Sequence, residues 1–257
     1  MSLEYWIYTL AYISIFSFLI IERYKQERAF LITKRDGLFL IIDITAKLVN
    51  LTLSVYVMLW VVNLISPFQM LSISNLPVPI VLSAVIAFLL VDFFHYFSHR
   101  LHHKIPALWR FHRLHHTDKK VDALTTVLHH PFEVISSFLV NIICYVLFDI
   151  PVIIIIAHTF IAGLHGPFTH STILLPEKID RILNYFIITP NLHRVHHSLD
   201  MKEGNSNFGI VFPFWDRLFG TYCFVSNKAL SAIKLGVSDD KSPQAVSLRE
   251  FFVNPLR

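Results

Sequence analysis

The chain has 257 residues, 54% of them hydrophobic and 16% charged, with a mean hydropathy of +0.55; this balance excludes an ordinary soluble domain and points to a membrane protein. A net charge of +4 does not read as a nucleic-acid surface, because the basic residues lie in short segments between apolar runs rather than on one amphipathic face. The two cysteines, Cys144 and Cys223, lie far apart and outside any CxxC, which excludes a zinc ribbon, a thiolate-bound cluster and a c-type haem.

In chain order, Tyr5 to Ile21 is uncharged and long enough to cross hydrocarbon. Glu4 precedes it in place of Lys or Arg and no small-residue cleavage site follows, so a first membrane helix is expected rather than a cleaved signal peptide. Leu38 to Ile65 is a second span, with Asp43 and Lys47 confined to its first turns. Val78 to Phe97 is a third, whose polar end at Asp92 and the first histidines belongs at the membrane interface. Val134 to Phe168 is apolar apart from Asp149, and the Asp149-Ile150-Pro151 break predicts two helices in a tight hairpin or one kinked element. No Pro/Gly/Ser-rich linker or repeat divides the chain, so residues 1–257 are read as a single membrane domain.

The loops give an orientation. Glu22 to Asp36 carries Arg23, Lys25, Arg28, Lys34 and Arg35, whereas Ser66 to Pro77 carries no charge, which puts the first loop in the cytoplasm. Counting spans from there returns Ser98 to Pro131 and Ser171 to Phe224 to the same side, and both are basic. The expected fold is therefore all-α: a polytopic bundle of about four to five membrane helices with a cytoplasm-facing, histidine-rich helical cap, in a bacterial inner membrane or the endoplasmic reticulum.

All fifteen histidines fall between His95 and His197. His95, His99 and His103 recur every four residues and line one face of a helix, with Asp92 heading the stripe. His112, His115 and His116 form an HxxHH box, and His193, His196 and His197 repeat its spacing. On a helix each box offers up to three imidazoles to one centre. Neutral imidazole suits zinc, copper, iron and nickel, and eight or more ligands exceed what one ion holds, so two metals are the economical reading. A lone interfacial histidine is more often a hydrogen-bonded ring, but such rings have no reason to share spacings. His158, mid-run in an apolar helix, is read as such a ring; His165 is left open, and His102 is expected to face solvent or lipid. Asp92, Glu133 and Asp216 are candidates to hold a ligating histidine by its distal N–H, or else partners of Arg100, Arg113 or Arg217.

These residues resemble the fatty acid hydroxylase/sterol desaturase superfamily of membrane di-iron enzymes. The matching strings are Asp92-Phe-Phe-His-Tyr-Phe-Ser-His-Arg-Leu-His-His103, Trp109-Arg-Phe-His-Arg-Leu-His-His116 and Thr189-Pro-Asn-Leu-His-Arg-Val-His-His-Ser198, with further likeness in Ser206-Asn-Phe-Gly209 and Trp215-Asp-Arg-Leu-Phe-Gly-Thr221. The resemblance covers about residues 80–224, taken as the catalytic core. It implies ligand roles for His99, His103, His112, His115, His116, His193, His196 and His197, and adds His170 in Phe168-Thr-His-Ser171. His95 is an extra that some members replace. The family's Arg-x-His-Pro-x-Glu element reads Leu128-His-His-Pro-Phe-Glu133, which keeps His130, Pro131 and Glu133 but loses the arginine; His130 ranks below His170 as a ligand.

The resemblance further implies two iron ions, dioxygen as co-substrate and a membrane lipid as substrate, hydroxylated or desaturated at an unactivated C–H bond. No catalytic residue beyond the ligands is required. Electrons must come from outside the chain, since it has no GxGxxG, no haem attachment and no cluster-forming cysteines. The implied donor is a b-type cytochrome, or a ferredoxin with its NAD(P)H reductase, met by the basic Arg100, Lys104, Arg110, Arg113, Lys119 and Lys120. The soluble di-iron bundles use Glu-x-x-His, which is absent here. Two other readings compete: a histidine-rich metal transporter or storage protein, which would need ionisable residues in the middle of several spans, and a metal-dependent membrane hydrolase, which would not need dioxygen.

Overall fold

A computed structural model of the chain describes residues 3–25, 37–46 and 71–238. Prolines punctuate it. α1 (Leu3–Lys25) and α2 (Gly37–Ala46) come first. α3 (Ile80–Lys104) begins at Pro79 and runs without a breaker to Pro106, whose missing N–H and ring end one helix and open the next, α4 (Pro106–His116). The third span predicted to stop at Phe97 therefore continues for two more turns and carries His99 and His103 into the cap. After a 3₁₀ turn (Ala123–Val127), α5 (Pro131–Phe148) starts at a capping box in which His130 accepts from the Phe132 N–H and Glu133 accepts from the His130 N–H.

The predicted break at Asp149-Ile150-Pro151 is a hairpin of two helices. Asp149 ends α5 in the left-handed region, at φ 50°, and accepts a hydrogen bond from the Ser72 hydroxyl; α6 (Val152–Thr169) begins after Pro151. Short helices complete the cap: α7 (Glu177–Leu183), α8 (Pro190–His196), α9 (Met201–Gly204), α10 (Phe214–Leu218) and α11 (Asn227–Leu230). Among the described residues there is no sheet, only an isolated antiparallel bridge between Ser198 and Leu235.

Among the described residues three helices, α3, α5 and α6, are long and apolar enough to cross a membrane. The two of 18 residues rise about 27 Å against a hydrocarbon core of about 30 Å. Their shared core packs Ala87 and Val91 of α3 against Val140 and Cys144 of α5 and Ile155 of α6. Many of their other large side chains face outward, as lipid contact requires: Ile80, Val81, Ile135, Leu139 and Ile153 are all exposed. α1 is also apolar and packs Ile15 and Leu19 onto the 3₁₀ turn. Of the second predicted span, Leu38 to Ile65, only the stretch to Ala46 falls within the described residues, and there it is helical.

Candidate metal centre

The histidine-bearing segments meet where the far end of α3 joins α4, α8 and the turn after α6. Nine imidazoles converge there in two groups, each with its ligand atoms within 4.8 Å of one another: His99, His103, His112, His116 and His196 in one, His115, His170, His193 and His197 in the other. The groups adjoin, since the His116 and His197 rings stack at 4.4 Å. These nine are the residues singled out from the sequence, and all nine are brought together.

The boxes do not each serve one centre, as their shared helical face suggested. Each is divided. His112 and His116 join the first group while His115 turns to the second; His193 and His197 join the second while His196 turns to the first. Helical geometry explains the division, because positions i+3 and i+4 lie about 100° apart around the axis, on either side of position i. The i, i+4 pair stays together and the i+3 member points to the neighbour. His99 and His103 on α3 are another i, i+4 pair, and His170 comes from the C-cap of α6.

Hydrogen bonds fix the ring tautomers. Nδ1 of His99 donates to the Phe208 carbonyl (2.8 Å), Nδ1 of His196 to the Ser206 carbonyl (2.7 Å), Nδ1 of His170 to the Gly166 carbonyl (2.8 Å) and Nδ1 of His112 to Glu133 Oε2 (2.6 Å). A neutral imidazole has one N–H, so the Nε2 of each of these rings presents a lone pair. Those lone pairs face other nitrogens: His99 to His112 at 3.1 Å, and His170 to His115 at 3.0 Å and to His193 at 2.8 Å.

Protein groups alone leave such an arrangement unsatisfied, and buried nitrogens of His103, His115, His193, His196 and His197 have no hydrogen-bond partner. A cation would satisfy it. Two imidazole nitrogens about 2.1 Å from one ion and at right angles stand about 3.0 Å apart, which matches the observed 2.8–3.2 Å. Burial, followed by the neighbouring imidazoles, holds His112, His115, His116, His193 and His197 well below the ordinary histidine value. His196 is lowered too, and His170 falls to about 3. The neutral, ligating form is thus the form this site favours.

With that geometry in view, the sequence can be set beside known proteins. The fatty acid hydroxylase family model matches residues 84–221, more than half of the chain and all nine converging histidines. The chain belongs to the fatty acid hydroxylase family. Among curated proteins it is 30% identical over 145 residues to ornithine lipid hydroxylase OlsE of Rhizobium tropici, covering 56% of this chain and 43% of that one. It is 31% identical over 147 residues to alkylglycerol monooxygenase of Xenopus tropicalis (56% and 31%), and 27% identical over 146 residues to very-long-chain aldehyde decarbonylase GL1-4 of Oryza sativa subsp. indica (51% and 22%). The matches thus span less than half the length of these relatives. No solved structure matches the chain.

Within this member of the family six histidines lie outside the two groups, and five of them, His95, His102, His130, His158 and His165, make hydrogen bonds through the ring. His95 meets Asn141 Oδ1 at 3.0 Å and stacks on His158, which itself bonds Asp92 at 2.9 Å. His102 is a correction: it is buried rather than facing solvent or lipid, because its rings' two nitrogens are taken by the Ser98 carbonyl and the Ser136 hydroxyl of α5. His165 binds the Ile210 carbonyl, His129 stacks on His115 at 4.3 Å, and His130 caps α5.

Of the three acids considered as supports, Glu133 alone touches a converging histidine. Asp92 serves His158 and Trp215. Asp216 acts one step away: it accepts from the N–H groups of Phe208 and Gly209 and from Thr221, holding the loop whose carbonyls receive His99 and His196. Burial pushes its carboxyl up to about 6. The loop also needs Gly209, where a Cβ would lie 2.5 Å from the Phe212 carbonyl oxygen.

Sequence reasoning missed Glu22. Buried near the end of α1, it accepts from the N–H of Ala123, in the turn after the box of His112, His115 and His116, and from the N–H of Thr172, two residues beyond His170. Its signal was an acid at the close of an apolar run, where a basic loop begins. The main-chain carbonyls of Ser206 and Phe208 carried none, since every residue has one.

Proposed function

We propose that this protein is a dioxygen-dependent lipid hydroxylase or desaturase that oxidises a C–H bond of a membrane lipid at a histidine-held pair of irons. The observation that carries the proposal is the convergence of nine neutral imidazoles into adjoining groups of five and four, with lone pairs facing one another. His99, His103, His112, His116 and His196 would hold one iron, and His115, His170, His193 and His197 the other. When bound, the pair supplies dioxygen reduction and the oxidising power for an unactivated C–H bond.

The protein's own part is arrangement. Glu133 and the carbonyls of Phe208, Ser206 and Gly166 hold the Nδ1 protons, so that the Nε2 lone pairs of their rings point inward. The aromatic rings of Phe208 and Trp109 pack against His103 and help keep water from the site. α3, which carries His99 and His103 at its far end, is also a candidate span, so an acyl chain lying between the spans would approach the imidazoles from the membrane side. Residues 80–224 form the catalytic core of a single membrane domain.

The site is read as facing the cytoplasm, from the basic loops. Exposed Lys104, Arg110, Lys119 and Lys120 surround the histidine cap and suit an acidic electron donor, a b-type cytochrome or a ferredoxin with its reductase. The names of the relatives, an ornithine lipid hydroxylase and an alkylglycerol monooxygenase, support a polar lipid with a long alkyl chain as substrate.

The test is metal analysis of protein purified without oxygen, followed by dioxygen uptake with lipid extract and reductant. Two irons per chain and lipid-stimulated uptake are expected. Fewer than two metals, or product formed without dioxygen, would overturn the proposal; the second outcome is what a hydrolase would give.

A further inference from the structure

The cap carries an apolar surface that the metal centre does not use. On α7 and the segment after it, Ile179, Ile182, Tyr185 and Phe186 are 48%, 63%, 63% and 66% exposed, and on α10 Leu218 and Phe219 are 68% and 41% exposed. None of the six lies in a candidate span. Side chains of this size are not left in water as a group by soluble surfaces, where large contiguous apolar patches mark an interaction site.

The patch is fastened to a lipid-facing helix. Phe219 packs on Phe93 and Tyr96 of α3, each at 5.7 Å, and Phe93 stacks on the exposed Phe97 at 6.3 Å. Arg217 carries the connection from α10 to the segment after α7: its guanidinium lies 4.5 Å over the Tyr185 ring and donates to Asn184 Oδ1 at 2.8 Å. Contacts therefore run from the outer face of α3, through α10 and Arg217, to Tyr185, the neighbour of Phe186 in the chain. Beside it on α7 stand the exposed basic side chains of Lys178 and Arg181. Asp180 is buried on the opposite side of the same helix.

Apolar and aromatic side chains on one face, basic residues along the edge and direct continuity with a spanning helix are the features of a segment lying in the plane of the lipid interface. We infer that α7, Tyr185, Phe186 and the end of α10 are embedded in the headgroup and upper acyl region of the leaflet into which the far end of α3 opens. The occupant of the patch is the bilayer itself. Anionic headgroups would meet Lys178, while Arg181 is paired with Glu177 at 2.9 Å. The metal centre, two of whose histidines α3 carries, would then be held against the membrane surface rather than standing clear of it.

The test uses full-length, metal-loaded protein in vesicles of phosphatidylcholine and phosphatidylglycerol, with Cys223→Ser to remove the half-buried thiol. Single cysteines at Ile182, Phe186 and Leu218 are labelled with an environment-sensitive dye, with Val85 on the outer face of α3 as the lipid reference and Lys202 on α9 as the water reference. Quenching by iodide several-fold weaker than at Lys202, and by nitroxide-bearing lipids comparable with Val85, is expected at all three positions. Iodide quenching equal to that at Lys202 would overturn the inference. So would protection from both quenchers, the result if a second protein copy or another segment of the chain covers the patch. A Val85 label quenched by iodide would remove the span on which the inference stands. Unchanged metal content in each variant keeps the readings independent of folding.

Discussion

The two imidazole groups follow the same rule with different resources. The first receives an i, i+4 pair from α3, another from α4 and a single ring from α8. The second receives only one such pair, from α8, and completes itself with His115 from α4 and with His170 at the cap of α6. A group built on two helical pairs inherits its geometry from helix backbone. The four-membered group depends instead on where a turn places His170, and that turn is held by Glu22 from outside the family-matched region. The comparison teaches that ligand count and mechanical security go together here, and that the smaller group is the more vulnerable.

The strongest way to break the comparison is to remove a ring from each group. His112→Ala and His193→Ala should each abolish lipid oxidation and take metal content below two per chain, measured by elemental analysis; full occupancy in either variant would remove that ring from its group. Next come the supports. Glu22→Ala should weaken metal binding at the second group by about 10–100-fold while sparing the first, and Glu133→Gln should do the reverse through His112. Competition with a chelator, followed by counting the ion that leaves first, measures both. Equal loss from both groups in Glu22→Ala would contradict the asymmetry.

Acid should act on both groups together. Burial holds six imidazoles of α4 and of α8 with its C-cap well below the ordinary histidine value of about 6.5, so the unfolded chain binds protons that the folded site refuses. Their contribution to metal-free stability is complete above about pH 6.5 and is lost as pH falls from there toward the lowered folded values. Asp216, raised to about 6, has the opposite sign, but it is one group against six. Thermal unfolding of the metal-free protein over this range should give a Tm that falls with acid. The smallest effect belongs to His158→Leu. It leaves Asp92 with its Trp215 contact alone and should cost about 1–3 kcal/mol of stability with metal content unchanged.

Eight of the nine converging histidines were legible because metal-type spacing, HxxxH once and HxxHH twice, survives in a sequence; His170 stands outside any box and came only from the family resemblance. The hairpin at Asp149-Ile150-Pro151 was legible because proline leaves a mark. The division of each HxxHH box between two groups was not, since a helical face permits sharing one centre as readily as splitting across two until the partner helices are in position. His102 was misjudged because it follows His95 by seven residues on α3 and so lies within about 20° of it, on the face that meets Asn141 and Ser136 of α5 rather than lipid. Glu22 was hidden by distance, since its contacts lie 101 and 150 residues away in the chain.

Three of the four acceptors that set the ring tautomers are main-chain carbonyls, at Gly166, Ser206 and Phe208. A codon change cannot delete a carbonyl. Mutation can therefore strike the rings themselves, or Glu133, but it can disturb the other three proton positions only by redirecting the backbone, through insertion, deletion or loss of Gly209. Length should accordingly be strict in the loop from Glu203 to Asp216, where single-residue insertions should be far more damaging than substitutions at Asn205 and Ile210, which are not buried.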